Sequence, residues 1–170
     1  MKHVLVLLAL VSMVTLTPAY AHKFSTAYME VHLQQSQPLL IWKVSLHDLA
    51  QAELLAEGNN NTLSWQHVLQ SQSRVQQYVR QQIHFNSATG ACELNTGSAD
   101  WKVQQLQHEM FLVLPIRVNC SSTEQWQLSY RALFDSKHNH KLLLSWLLPS
   151  AEANAVLSAD KLTFPATLAP

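Results

Sequence analysis

An α+β fold is predicted for this 170-residue chain, with a mainly antiparallel β-sheet or sandwich carrying one helix–turn–helix insertion and one disulfide. Three features of the sequence predict it. Short runs that alternate apolar and polar residues flank a central stretch. That stretch, at about 46–82, recurs instead at the three- and four-residue spacing of a helix. The only two cysteines, Cys92 and Cys120, both lie among the strand-like runs.

The chain begins with a segment that is read separately from the fold. MKHVLVLLALVSMVTLTPAYA puts Lys2 and His3 before an apolar run from Val4 to about Leu16, then closes on Ala19-Tyr20-Ala21. This is the pattern of a secretory signal peptide over 1–21, cleaved between Ala21 and His22. The apolar run is shorter than the roughly 20 residues that span a bilayer. The expected location is therefore periplasmic or secreted, with one exported domain over 22–150, a tail over 151–170 and no transmembrane segment in the mature chain.

AYMEVHLQQ (27–35) and QPLLIWKVSLHDL (37–49) alternate and read as neighbouring strands joined by a short turn near Ser36 to Pro38. LHDLAQAELLA is rich in Ala and Leu and predicts a short helix. Ser64 is placed to cap a longer helix through about Gln82, because the apolar positions Trp65, Val68, Leu69, Val75, Tyr78, Val79 and Ile83 recur mostly at three and four.

From His84 the pattern returns to strands: HFNSATGACEL, DWKVQQLQ, MFLVLPIRVNC, WQLSYRALF and KLLLSWLL. One more short strand is expected around Ala155 to Leu157. Alternation nominates a core of Leu39, Leu40, Trp42, Val44, Leu112, Leu114, Ile116, Leu128, Tyr130, Leu142, Leu144 and Trp146. In an exported chain the two cysteines are expected to pair, Cys92 with Cys120, because neither CxxC nor CxH spacing favours a thiolate metal site.

The loop between the helices has the outline of an EF-hand. With Leu63 at loop position eight and pointing inward, Ala56 falls at position one, Gly58 at three, Asn60 at five, Thr62 at seven, Ser64 at nine and His67 at twelve. Calcium needs oxygen ligands at one, three and five and a bidentate Glu at twelve. A methyl group, a bare backbone and an imidazole stand there instead, so calcium binding is not expected and the loop is read as structural. Asn60-Asn61-Thr62 also forms a glycosylation sequon.

Several stretches together resemble a known family. AHKFSTAYMEV, IWKVSLHDLAQAELL, GNNNTLSWQHV, the pair Cys92 and Cys120, and LSYRALFDSKHNHKLLLSW are similar to the exported amino-terminal domain of HupE/UreJ-type proteins, a group linked to nickel or other metal handling. The resemblance spans most of 21–148. It departs at the loop, where family members often carry an intact EF-hand, and at the end, where they commonly continue into transmembrane helices.

Histidines supply the candidate metal site. Cleavage before His22 would expose an α-amine beside its imidazole, a compact nitrogen chelate that suits nickel or copper. Asp135, His138 and His140 in FDSKHNHK add a carboxylate and an HxH pair. The competing reading makes both clusters polar surface.

Function classes narrow accordingly. Lys plus Arg and Asp plus Glu number 11 each, so the sequence gives no basic patch for nucleic acid. There is no G-x-S-x-G, HExxH or phosphate-cradling glycine loop, and the chain is expected not to be an enzyme. Two expectations remain. The first is an exported module that binds nickel or copper and delivers it to a membrane transporter. The second is a structural or interaction domain that docks on an envelope membrane protein with no metal of its own.

Overall fold

The structure is a computed structural model that describes residues 25–56, 63–106, 108–136, 139–149 and 151–165. The leader, most of the Asn-rich loop with its sequon, His138 and the last five residues lie outside the described residues.

Strands β1 (Thr26–Gln34) and β2 (Gln37–Ser45) form the predicted hairpin. Its turn residues Gln35 and Ser36 both take positive φ, 50° and 64°. Two consecutive left-handed residues give the turn the twist that matches a right-twisted pair of strands. The register that results pairs Met29 with Trp42 and Val31 with Leu40, and Tyr28 with Lys43 on the opposite face. A one-residue slip would exchange the two faces, so the turn and the apolar pattern fix each other.

Around this hairpin the larger sheet runs β10-β9-β1-β2-β7, with β5 and β6 sharing the far edge of β7. The members are β5 (Glu93–Asn95), β6 (Lys102–Leu106), β7 (Glu109–Asn119), β9 (Lys141–Leu148) and β10 (Ala151–Leu157). All pairings are antiparallel except β1 with β9, which is parallel, Met29 lying opposite Leu144 and Val31 opposite Trp146. β10 is longer than the short strand expected around 155–157, and it continues the sheet beyond β9 over seven residue pairs. The smaller sheet runs β11-β8-β3-β4, built from β3 (Ile83–Ser87), β4 (Gly90–Ala91), β8 (Gln127–Tyr130) and β11 (Thr163–Phe164).

The inner face of the larger sheet and the smaller sheet share one core. Trp42, Leu40, Leu114, Ile116, Leu142, Leu128 and Tyr130 are fully buried, each stabilising by roughly 1.5–3 kcal/mol relative to exposure. Trp42 meets Tyr130 edge-on at 6.2 Å, and Phe85 stacks on Trp146 at 5.9 Å. Of the twelve nominated core residues only Leu39 falls outside the buried set. It sits on the outer face, paired with His32 and Arg117.

The helical insertion lies where it was expected but is divided differently. α1 (Leu46–Gln51) is capped by Ser45, whose Oγ accepts from the His47 and Asp48 amides at 3.1 and 3.4 Å. Glu53, at φ 58°, turns the chain out of the helix. The single helix expected over 64–82 is two, α2 (Trp65–Gln70) and α3 (Gln72–Gln82), broken at Ser71. Ser71 is buried, and its Oγ accepts from the Ala56 amide at 2.7 Å. That bond ties the helices to the loop, and Val68, Val75 and Val79 pack the insertion on the core. Leu63, expected to point inward, is 36% exposed.

Cys92 and Cys120 form the expected disulfide, S–S 2.03 Å. They flank the paired residues Glu93 and Asn119, so the bond closes the open end of the β5–β7 ladder. Gln37 accepts from the Cys120 amide at 2.9 Å and fastens the same corner to β2. Among the described residues no helix is long and apolar enough to cross a membrane.

Candidate functional site

Of the four predicted metal residues the structure describes two, Asp135 and His140, and gives them different surroundings. His140 immediately precedes β9 and lies beside the start of β1, where the Lys141 amide donates to the Ser25 carbonyl at 3.0 Å. Its side chain is 3% exposed. Nδ1 is hydrogen-bonded to Ser25 Oγ, and Nε2 lies 3.2 Å from the Tyr130 hydroxyl. In either tautomer both ring nitrogens are therefore occupied. Asp135 is exposed and lines a different groove with Gln51, Tyr78 and Gln82. His22 and His138 lie outside the described residues. Among the described residues no three His, Cys, Asp or Glu side chains are grouped to hold a metal ion.

A serine bonded to a histidine invites comparison with a catalytic pair, and the electrostatics argue against that use. Burial lowers the His140 pKa from 6.5 to about 4, which makes it a poor proton acceptor at neutral pH. Burial likewise holds the Tyr130 hydroxyl well above its ordinary pKa, so the group oriented toward His140 is a neutral phenol and not a carboxylate. The chain Ser25–His140–Tyr130 links the first residue before β1, the start of β9 and the smaller sheet.

Three ligand positions of the degenerate calcium loop, Ala56, Ser64 and His67, lie among the described residues, and each is hydrogen-bonded. Ser64 donates its amide to His67 Nδ1 at 3.0 Å, so the imidazole takes the role that Glu or Gln plays in a capping box. The Ala56 amide is held by Ser71. Gly58, Asn60 and Thr62 lie outside the described residues.

The most distinctive surface is one the sequence reading did not single out. On the outer face of the larger sheet, cross-strand register aligns Val156, Leu143, Tyr28 and Lys43 in a row. Val156, Leu143 and Tyr28 are 47%, 40% and 38% exposed. They line a groove of about 500 Å³ together with Leu106, at the end of β6. Tyr28 also packs edge-to-face with the buried Phe111 of β7 at 5.8 Å, which holds the tyrosine ring in the row.

The polar groups in this groove are paired with one another. Lys43 Nζ donates to Glu30 at 2.6 Å, and His32 Nε2 lies 3.0 Å from the same carboxylate. The Lys43 bond holds the Glu30 carboxyl below its usual pKa, against a smaller opposing effect of desolvation. Ser145 Oγ donates to Asn154 at 3.1 Å. A groove whose lysine and carboxylate neutralise each other offers little to a free ion and much to an apolar, neutral surface.

One signal for this face was present in the sequence. KLLLSWLL is apolar at consecutive positions, so both faces of β9 carry Leu, whereas a strand with a solvated face would alternate. Compared with protein-family models and with curated proteins, the chain gives no match.

Proposed function

We propose that this protein is an exported, non-enzymatic interaction domain that docks the outer face of its larger sheet on an envelope membrane protein. The single observation that supports this reading is the exposed apolar row Val156–Leu143–Tyr28. Contiguous apolar surface of this kind marks interaction sites on folded domains. Export is supported by the leader-type amino terminus and by a disulfide, which persists in oxidising compartments.

The chemistry of the face describes the partner. It is a protein surface with apolar side chains that fill the groove between Leu106 and Val156 and with no excess charge, because Glu30 and Lys43 already satisfy each other. Without the leader's Lys2 the exported chain has 11 − 1 = 10 basic against 11 acidic side chains, which gives no net attraction to nucleic acid or anionic lipid.

The test is binding of the purified domain to envelope membranes, to the same membranes after protease shaving, and to protein-free vesicles of their lipids. Saturable binding to intact membranes alone, weakened at least tenfold by Leu143→Asp, is the expected result. Equal binding to the vesicles, or none anywhere, overturns the reading.

A further inference from the structure

The two margins of the larger sheet are built differently. On the far side, β7 is flanked by β5 and β6, strands of three and five residues, and β6 carries Lys102. Short strands and an edge lysine are how sheets discourage unwanted pairing. The near margin is β10, seven residues reading AEANAVL, hydrogen-bonded to β9 on one side. It contains no Pro, Gly, Lys or Arg. Its register with β9 runs without a bulge from Ala151↔Leu148 to Leu157↔Leu142. Among the described residues it is the longest edge strand, since the margins of the smaller sheet, β4 and β11, have two residues each.

Every second residue of an antiparallel edge strand turns its N–H and C=O away from the neighbour it already has. Those groups form a template for one more strand. We propose that β10 is the self-association edge of this protein, and that a second copy adds its own β10 antiparallel across a two-fold axis at Asn154.

The strand is self-complementary in that arrangement and in no parallel one. Pairing all seven residues centres the axis on Asn154, which meets its own copy. Ala153 then faces Ala155 of the second copy, and Glu152 faces Val156. Glu152 is the only charged residue of β10. The two-fold axis separates it from its copy by four residue steps, roughly 13 Å at the rise of a strand. That distance exceeds the Debye length of about 8 Å at physiological salt. A parallel in-register pair would instead set Glu152 against itself.

The parity of the pairing keeps Glu152, Asn154 and Val156 of both copies on the outer face, so the two sheets join as one. A closed two-fold pair also consumes both free edges, which limits assembly to a dimer. Near-neutrality favours it, because the exported chain, without Lys2, has 11 − 1 = 10 basic and 11 acidic side chains and little long-range repulsion between copies.

Sedimentation velocity of the exported chain over a hundredfold concentration range tests this directly. A reversible monomer–dimer equilibrium is expected, with the dimer constant weakened at least tenfold by Asn154→Lys, which places two like charges at the axis. Circular dichroism and the melting temperature of that variant establish that it is folded. Under mild oxidation Asn154→Cys is expected to cross-link to its own copy, and Glu152→Cys is not. A wild-type chain that stays monomeric, a dimer indifferent to Asn154→Lys, or cross-linking from Glu152→Cys in preference to Asn154→Cys overturns the proposal. Leu143→Asp, which tests the docking face, is expected to leave the dimer intact, so the two readings fail separately.

Discussion

The Tyr130 hydroxyl lies 3.2 Å from His140 Nε2 inside the core, and this contact joins the smaller sheet to the residue just before β9. Ser25 occupies the other ring nitrogen. A histidine held this way belongs to the folding energetics of the protein, and its consequences appear first in pH dependence.

Stability is expected to fall as the solution is acidified from pH 6.5 toward pH 4. The unfolded chain protonates His140 near its ordinary 6.5, whereas burial keeps the folded ring neutral down to about 4. Between those values the unfolded state binds more protons, so the contribution is complete above 6.5 and is lost on the way down. At ~1.4 kcal/mol per pH unit the loss is on the order of 3 kcal/mol. Glu30 acts in the same direction lower down, because its depressed carboxyl contributes above the ordinary carboxylate range and stops contributing as pH falls through its folded value. Urea melts at pH 7, 5.5 and 4.5 measure the slope, and His140→Gln is expected to flatten it between 6.5 and 4.

Nickel or copper affinity, whatever its size, is expected to be unchanged by His140→Gln. For His140 to bind a metal the ring must first release Ser25 or Tyr130, which opposes binding. Calorimetric titration of wild type beside His140→Gln and His22→Ala separates the possibilities. A drop in affinity only in the His140 variant would show that the ring leaves its core position to reach a metal. Calcium in the same titration tests the loop, and no binding is expected with Ala56 and His67 at its first and last ligand positions.

Tyr78→Phe is expected to cost about 1–2 kcal/mol, the loss of a hydrogen bond to a buried amide. Leu133 sits at φ 64°, a left-handed conformation unfavourable for a branched residue, and its amide donates to the Tyr78 hydroxyl at 2.8 Å. Removing the hydroxyl leaves that buried amide without its acceptor. Equilibrium denaturation gives the difference, and an unchanged midpoint would mean that the loop relaxes freely.

Reducing the Cys92–Cys120 bond is expected to cost about 3 kcal/mol, from the entropy regained by an unfolded chain freed of a loop of 28 residues. The paired substitution of both cysteines by Ala is expected to reproduce the loss in urea melts while the spectrum of the folded state persists.

Much of this architecture was legible in the sequence because it is local. Alternation placed eleven of twelve nominated core residues correctly, since side-chain period and burial are the same fact in a half-buried strand. Leu39 misled because β2 has apolar residues on both faces and period alone does not say which is inside. The break at Ser71 was hidden because the helical period of Val68, Val75 and Val79 runs through it, while the bond that Ser71 makes at the break is to Ala56, fifteen residues earlier.

β10 leans on its neighbour β9 more than on its own residues, and the parallel pairing of β1 with β9 on a partner far away in the chain. AEANAVL has little strand preference of its own, and its conformation is set by the ladder it makes with β9. The parallel contact joins residues more than a hundred positions apart, and no local pattern announces it. The same limit applies to the candidate metal set, whose residue types were visible but whose burial was not. His140 reads as a polar ligand in FDSKHNHK and proves to be a core residue.

The docking face is tested most directly by site-specific photo-cross-linking in intact cells, with a photoreactive residue at Leu143 and, as a control of similar exposure, at Leu69 of α2. One discrete membrane-protein adduct is expected from Leu143, abolished by Tyr28→Glu in the same chain and absent from Leu69. The same adducts from both positions, or none from Leu143, would contradict it.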